Sequence, residues 1–475
     1  MHRNILKQPL LLKKYSNQLV FDYTEYPTKT FWQDSYGDTE FKEDLHKLIA
    51  TQNTSSMLYI HTPFCEELCY FCLCSKSITN DYEKVSTYLY RDLSKEIDLY
   101  SNEMRSQGKK IKIGQVYFGG GSPTYYHEKD FQFLIEKLRQ AFEITTDATV
   151  TVEIDPRRVN IEKLKFYSSM GVNRLSFGVQ DFDITVQKEI NRIQPPELLE
   201  GLLTDEIRSL FPTINFDVLI GLPRQTPESM RQTIERIGKI RPTEVQPLYL
   251  HYKPGTRSYM TRMTRNVLLP DFFDRKAIYA EVIDGLTASG YLRAGYENFA
   301  LPNDELSLAM SKQSAYYNSL GTTSGEVKNF VSLGASAHGT FNNTYSQNFY
   351  ELEQYSEALK NETFPIYRGM RLSQDDAIRH EIIKHFRIYD RLLISSIEKK
   401  WNINFNSYFA NEIAKLSEFI TDGLINLTDS FLEMTPLGRE FTPRICEVFD
   451  AYANRPLYEE SVKKIIFIKQ ESFSQ

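Results

Sequence analysis

Four of the chain's five cysteines fall within ten residues, in Tyr59-Ile-His-Thr-Pro-Phe-Cys65-Glu-Glu-Leu-Cys69-Tyr-Phe-Cys72-Leu-Cys74. Packing would not crowd them there and leave only Cys446 elsewhere, so they are expected to hold a metal or a cluster. The C-x3-C-x2-C spacing offers three thiolates on one short loop. A 4Fe–4S cluster commonly takes four cysteines, so three ligands leave one iron open to a substrate or cosubstrate. Structural zinc bound by all four sulfurs is the alternative. Zinc sites usually draw ligand pairs from two separated knuckles, and four thiolates from one turn would strain a tetrahedron. A disulfide framework is not expected in so long a chain without an N-terminal signal segment.

The rest of the chain must position that loop. Apolar, β-rich runs recur at Ser56–Ile60, Ile113–Phe118, Ala148–Ile154, Arg174–Val179, Ile214–Ile220 and Val245–Tyr252. Helical patterns such as Lys84–Tyr100, Asp130–Phe142 and Pro227–Ile240 separate them. This alternation predicts an α/β fold of six βα units, a partial (β/α)6 barrel, with a doubly wound sheet as the alternative. The runs end in polar groups: Thr62-Pro-Phe-Cys65, Gly119-Gly-Gly-Ser-Pro-Thr124, Glu153-Ile-Asp-Pro-Arg157, Gly178-Val-Gln-Asp181, Asp217 and His251. Parallel α/β folds build their sites at the carboxyl ends of strands, which favours the barrel. The glycines Gly119–Gly121 serve either a tight turn or close approach of backbone to a ligand. Glu153 either binds a ligand or pairs with Arg157 or Arg158.

Three segments are expected. Residues 1–55 read as a polar, irregular arm, with Phe21–Thr28 extended. Residues 56–365 form the barrel and an extension. Residues 366–475 form a mainly helical, winged-helix-like domain. In it, helices at Asp375–Phe386, Ile397–Trp401 and Asn406–Phe419 precede a hairpin over 421–438. The 475 residues are 41% apolar and 25% charged, as in an ordinary globular protein, and carry a net charge of −6. That charge gives no reason to expect nucleic acid. No apolar run approaches the roughly 20 residues of a membrane span. Clustered thiolates without a signal segment suit a reducing cytoplasm.

The run Tyr59–Cys74 resembles the cluster loop of radical S-adenosylmethionine enzymes. Its C-x3-C-x2-C-x-C form is that of the oxygen-independent coproporphyrinogen III oxidase family. The resemblance extends from about Tyr23 to Tyr452. It includes Phe118-Gly-Gly-Gly-Ser-Pro-Thr124, Val152-Glu-Ile-Asp-Pro-Arg157, Arg174-Leu-Ser-Phe-Gly-Val-Gln-Asp-Phe182, Gly221-Leu-Pro-Arg-Gln-Thr-Pro-Glu-Ser229 and Asp422-Gly-Leu424.

The resemblance implies a 4Fe–4S cluster on Cys65, Cys69 and Cys72, with Cys74 close by but not a ligand. S-adenosylmethionine on the open iron would yield a 5′-deoxyadenosyl radical. Gly120 and Gly121 match the segment that holds its methionine end, and Glu153 the acceptor for its ribose hydroxyls. Tyr59 and Phe71 are expected to support the adenine and wall off water. The family holds a second S-adenosylmethionine, whose contact positions match Gly121, Ser122, Gln180, Arg192 and Asp217. An ordinary buried polar network is the alternative there. A porphyrinogen substrate, an electron donor such as flavodoxin or ferredoxin, and a monomer are also implied. Arg157, Arg158 and Arg192 are candidates to meet substrate carboxylates.

The sequence departs from the porphyrin-processing pattern at Glu297, Asn298, Ser324, His251 and His338, all expected around the substrate. Oxidative decarboxylation of coproporphyrinogen III to protoporphyrinogen IX is the leading expectation. Radical C-methylation and haem delivery by the same fold are the alternatives, the two histidines being the only hint of the last.

Overall fold

Alternation along the six runs gives the central sheet two unlike faces. Leu58, Ile60, Val116, Phe118, Val152, Ile154, Leu175, Phe177, Phe216 and Val218 point one way into the main hydrophobic core. Tyr117, Thr151, Ser176, Asn215 and Gln246 point the other way and line a common polar interior. A period of two in a β-strand sorts the side chains in this manner. Crossover helices, including Glu128–Ala141 and Pro227–Ile240, bury the apolar face. The second of these starts where the sequence signals it. Thr226 and Ser229 cap each other's backbone N–H groups at 3.1 and 3.0 Å, with Pro227 at the first helical position.

The computed structural model describes residues 6–16, 23–325, 327–453 and 455. Expectations at Phe21, Asp22 and the last twenty residues lie outside them. The six expected strands are β1 (Ser56–Thr62), β2 (Lys112–Gly120), β3 (Glu143–Ile154), β4 (Arg174–Gln180), β5 (Thr213–Ile220) and β6 (Glu244–Tyr249). They pair in parallel in sequential order, β1 to β6. A doubly wound sheet would reverse its order at a switch point. The sequential order wraps every crossover onto one face and gives the partial barrel.

Short strands that the sequence reading did not separate from loops extend both edges. They are β7 (Leu292–Ala294), β8 (Asn298–Ala300), β9 (Phe330–Leu333), β10 (His338–Phe341), β11 (Thr344–Asn348) and β12 (Ile366–Arg371). The full sheet has 12 strands in the order β12-β11-β10-β9-β1-β2-β3-β4-β5-β6-β8-β7.

The arm is more ordered than expected. Helix Asp38–Thr51 carries Phe41, Leu45, Leu48 and Ile49 into the main core, the apolar face that marks it as a helix. Leu12, Tyr15, Tyr23 and Tyr26 instead join a second core with Ile378, Ile382, Phe386, Leu416, Leu432 and Phe449. That core lies under helices Gln374–Ile388, Ile394–Trp401 and Ala410–Thr421 and a three-stranded sheet. The sheet combines β13 (Arg391–Leu393), β14 (Ile425–Leu427) and β15 (Phe431–Met434), the last two forming the expected hairpin. Helices followed by this sheet give the winged-helix-like arrangement. Among the described residues, no helix is long and apolar enough to cross a membrane.

Candidate active site

The cysteine loop leaves β1 at Thr62 and is tied down along its length. Phe64–Cys65 pairs in parallel with Ser77–Ile78, closing the loop's base. Tyr70 N–H donates to Ile190 O at 3.0 Å and Asn191 Nδ2 to Leu68 O at 2.9 Å. Lys76 Nζ reaches the carbonyls of Cys72 and Cys74, each at 3.3 Å. His61 joins Tyr59 to the loop's exit. Its Nδ1 accepts from Tyr59 Oη at 3.0 Å and its Nε2 meets Ser75 O at 2.8 Å. Burial lowers its pKa to about 4, so the ring is neutral at pH 7.

The turn after β3 grips the same loop. Arg157 Nη1 meets Glu67 Oε2 at 3.0 Å. Arg158 meets Glu66 and Glu67, both at 3.1 Å. These arginines are therefore clamps on the loop and do not line the large cavity beside it. The Cys69 thiol lies 3.6 Å from Arg192 Nη1 and 3.9 Å from Arg157 Nη2. Burial pushes the Cys65 thiol up to about 12, whereas a hydrogen bond with Cys74 chiefly draws Cys72 down. Among the described residues, no three Cys, His, Asp or Glu side chains converge as one metal ion requires. A cluster spreads its thiolates over separate irons, so three cysteines on one short loop suit a cluster.

Glycine is needed where β2 meets the loop. Gly120 sits at φ +109°, and a Cβ there would lie 2.6 Å from the His61 ring. A Cβ on Gly121 would strike Phe64 O and come within 2.8 Å of Thr62 O. Its N–H donates to Thr62 O at 2.7 Å, and Ser122 N–H to Phe64 O at 2.8 Å. The Ser122 hydroxyl bonds Thr124 Oγ1 at 2.8 Å.

Glu153 is not paired with Arg157 or Arg158. Its carboxyl accepts from Gly120 N–H at 3.0 Å inside the barrel. Burial, then the nearby Asp217, pushes it up to about 8. Asp217 accepts from Asn215 Nδ2 at 2.7 Å and Ser176 Oγ at 3.2 Å, and burial brings it to about 6. Gln180 ends β4 at φ +67°. With Arg192 it flanks Gly178, whose carbonyl Arg192 Nη2 meets at 2.9 Å. Tyr59 lies against Phe330 at 5.9 Å between ring centroids. Phe71 packs on a small core of Val186, Ile190, Leu222, Leu250, Met260 and Met263.

A cavity of about 1100 Å³ opens beside the loop, bounded by Tyr59, His61, Cys74, Lys76, Lys253, Arg257, Lys29 and His338. The barrel base holds a second space of only about 50 Å³, room for a water or two, which Asn298 and Ser324 line. Glu297 pairs with buried Arg387 at 2.7 Å. His251 follows β6. His61, Lys76, Asp155 and Lys29 were not singled out from sequence. Asp155 holds Arg157 at 2.7 Å and Arg192 at 3.5 Å, and it sits in plain view inside the Glu-Ile-Asp-Pro-Arg run. Lys29 had no such signal, because only folding brings the arm to the cavity.

Comparison with known proteins decides the relationship. The Radical SAM superfamily profile matches residues 59–237, and the HemN C-terminal domain profile residues 372–441. Oxygen-independent coproporphyrinogen III oxidase of Escherichia coli K12 is 32% identical over 96% of this chain and 98% of its own length. The Synechocystis protein of the same name is 32% identical over 96% and 97%. The chain belongs to the oxygen-independent coproporphyrinogen III oxidase family. The solved Escherichia coli coproporphyrinogen III oxidase superposes with a TM-score of 0.86 at 33% identity, covering 93% of this chain and 98% of that one. Radical SAM membership brings a 4Fe–4S cluster and S-adenosylmethionine, and the cysteine loop and glycine-lined strand end described above suit both.

Proposed function

We propose that this family member converts coproporphyrinogen III to protoporphyrinogen IX without oxygen. Each of two propionate side chains would lose a hydrogen atom, an electron and carbon dioxide, leaving a vinyl group. A 4Fe–4S cluster on Cys65, Cys69 and Cys72, with S-adenosylmethionine bound, supplies the 5′-deoxyadenosyl radical that takes the hydrogen. The protein's share is to hold and shield the reactants. Gly120 and Gly121 admit the methionine end of S-adenosylmethionine, Glu153 receives its ribose hydroxyls, and Tyr59 and Phe71 exclude water around it. Electrons come from a flavodoxin or ferredoxin, and the enzyme works as a cytoplasmic monomer.

The observation that carries this reading is the cavity of about 1100 Å³ opening on the cysteine loop, with Lys29, Lys76, Lys253 and Arg257 on its walls. Its size lies at the upper end of small-molecule sites, which suits a macrocycle, and its cations suit a polycarboxylate. Incubating reduced, cluster-loaded protein with coproporphyrinogen III and S-adenosylmethionine, and identifying every tetrapyrrole product, tests it. Methylated products would replace this reading with C-methylation.

His338 argues against haem delivery. Its Nε2 lies 2.7 Å from Glu25 Oε1 and its Nδ1 3.3 Å from Lys29 Nζ, so both nitrogens face charged neighbours of the arm. A second S-adenosylmethionine is supported by Gln180, Arg192 and Asp217 gathering around Gly178, with Gly121 and Ser122 just beyond the end of β2 in the same sheet. Equilibrium dialysis should then give two molecules bound per chain.

A further inference from the structure

One wall of the large cavity comes from the N-terminal arm. Lys29 Nζ lies 3.3 Å from Glu25 Oε1 and 3.3 Å from His338 Nδ1. Its charge also sits 5.9 Å from the Trp32 ring centroid. An ammonium has three N–H donors, and these two contacts fix its direction while accounting for two of them. The Lys29 side chain is still 32% exposed, and it lines the cavity.

The chain of contacts is internally consistent. Glu25 is only 11% exposed, and Lys29 and His338 hold its carboxyl well below the usual carboxylate range despite that desolvation. Its Oε1 lies 2.7 Å from His338 Nε2, and His338 Nδ1 faces the lysine at 3.3 Å. A flexible side chain aimed by two fixed neighbours loses less entropy when it meets an anion.

Other cations stand elsewhere on the cavity wall. Lys253 and Arg257 belong to the segment after β6, and Arg257 Nη2 reaches Leu73 O at 3.5 Å on the cysteine loop. Glu351 and Glu353, the carboxylates on the lining, are exposed. The cavity thus has one cationic pole on the arm and another on the segment that leaves the barrel.

We propose that Lys29, aimed by Glu25 and His338, binds one carboxylate of a polycarboxylate tetrapyrrole, and that Lys253 and Arg257 bind a second. The inference rests on the porphyrinogen reading above and names the residues that would set its specificity. Lys29 touches the ligand, whereas Glu25 and His338 are positioning residues.

Coproporphyrin III and its tetramethyl ester, titrated onto cluster-loaded full-length protein and followed by porphyrin fluorescence, separate charge from shape. The acid should bind more tightly than the ester by about tenfold or more, as expected for charge-assisted hydrogen bonds. Lys29→Met should weaken binding of the acid by about tenfold and barely change that of the ester. His338→Gln, which keeps an acceptor for Lys29, should retain more affinity than His338→Leu. In turnover, these changes should raise KM for coproporphyrinogen III more than they lower kcat. Should Lys29→Met fail to accumulate, the Lys253→Met/Arg257→Met double variant carries the same expectation from the opposite pole. Equal binding of acid and ester, or parental affinity in these variants, overturns the proposal. If the parent binds the acid but forms no vinyl product, the functional reading fails while this assignment stands. If product forms and the Lys29 variant binds normally, only this assignment fails.

Discussion

The guanidinium of Arg192 stands 3.6 Å from the Cys69 sulfur while its other nitrogens hold Gly178 O at 2.9 Å and Gln194 Oε1 at 3.0 Å. A buried cation this close complements the negative charge that a cluster-bound sulfur carries. Asp155 steadies the arrangement at 3.5 Å. Arg192→Leu is expected to weaken cluster retention or activity by about 10–100-fold, the usual cost of losing a residue that orients a metal ligand. Iron and sulfide content after gel filtration, with 5′-deoxyadenosine formation, measures it. Parental values in the variant would contradict this role.

Gly121 is fixed by backbone and not by a movable side chain. A methyl group there meets Phe64 O and Thr62 O, which belong to the root of the cysteine loop. Gly121→Ala should displace the loop, lowering both cluster content and melting temperature. Gly255→Ala, with nothing within 4 Å of a new Cβ, should do neither.

Glu153 gives the site a pH dependence of defined sign. In the ligand-free protein its carboxyl is pushed up to about 8, first by burial and then by Asp217. Between its ordinary value of 4.5 and 8 the folded protein holds a proton here that the unfolded chain has lost. Stability from this group is therefore greatest at low pH and falls as pH rises through that window. A ligand that needs the carboxylate must expel the proton. S-adenosylmethionine should bind more tightly as pH rises towards 8, by at most about tenfold per unit, and level off above it. Calorimetry in buffers of different ionisation enthalpy should register proton release at pH 7, and Glu153→Gln should abolish it.

Cys74 separates a three-thiolate cluster from a four-thiolate zinc site. Its neighbour Cys72 is drawn down chiefly by the hydrogen bond between the two thiols. Replacing Cys65, Cys69 or Cys72 with alanine should remove the iron, whereas Cys74→Ser should retain it. Loss of bound zinc and no iron in all four variants would overturn the assignment.

The barrel was legible because its strands are long and alternate cleanly. Leu58, Ile60, Val116 and Phe118 announce an apolar face at period two, and Pro227–Ile240 begins at its own capping box. Strands β7 to β12 were not, because three to six residues such as Leu292–Ala294 hold too little pattern to separate strand from loop. Helix Asp38–Thr51 was hidden by the charged residues on its exposed side, although Phe41, Leu45, Leu48 and Ile49 are spaced as a helix face. At the site, the cysteines and strand-end carboxylates announced themselves by type and spacing. The Arg157–Glu67 clamp and the Glu25–Lys29–His338 chain did not, since their members lie 90 and about 310 residues apart and meet only in the fold.

The most direct measurement is the product balance of an anaerobic incubation of reduced, cluster-loaded protein with S-adenosylmethionine and coproporphyrinogen III. Protoporphyrinogen IX with two carbon dioxide molecules released per macrocycle, and 5′-deoxyadenosine formed alongside, is the predicted result. Deoxyadenosine formation with the porphyrinogen recovered intact would contradict it.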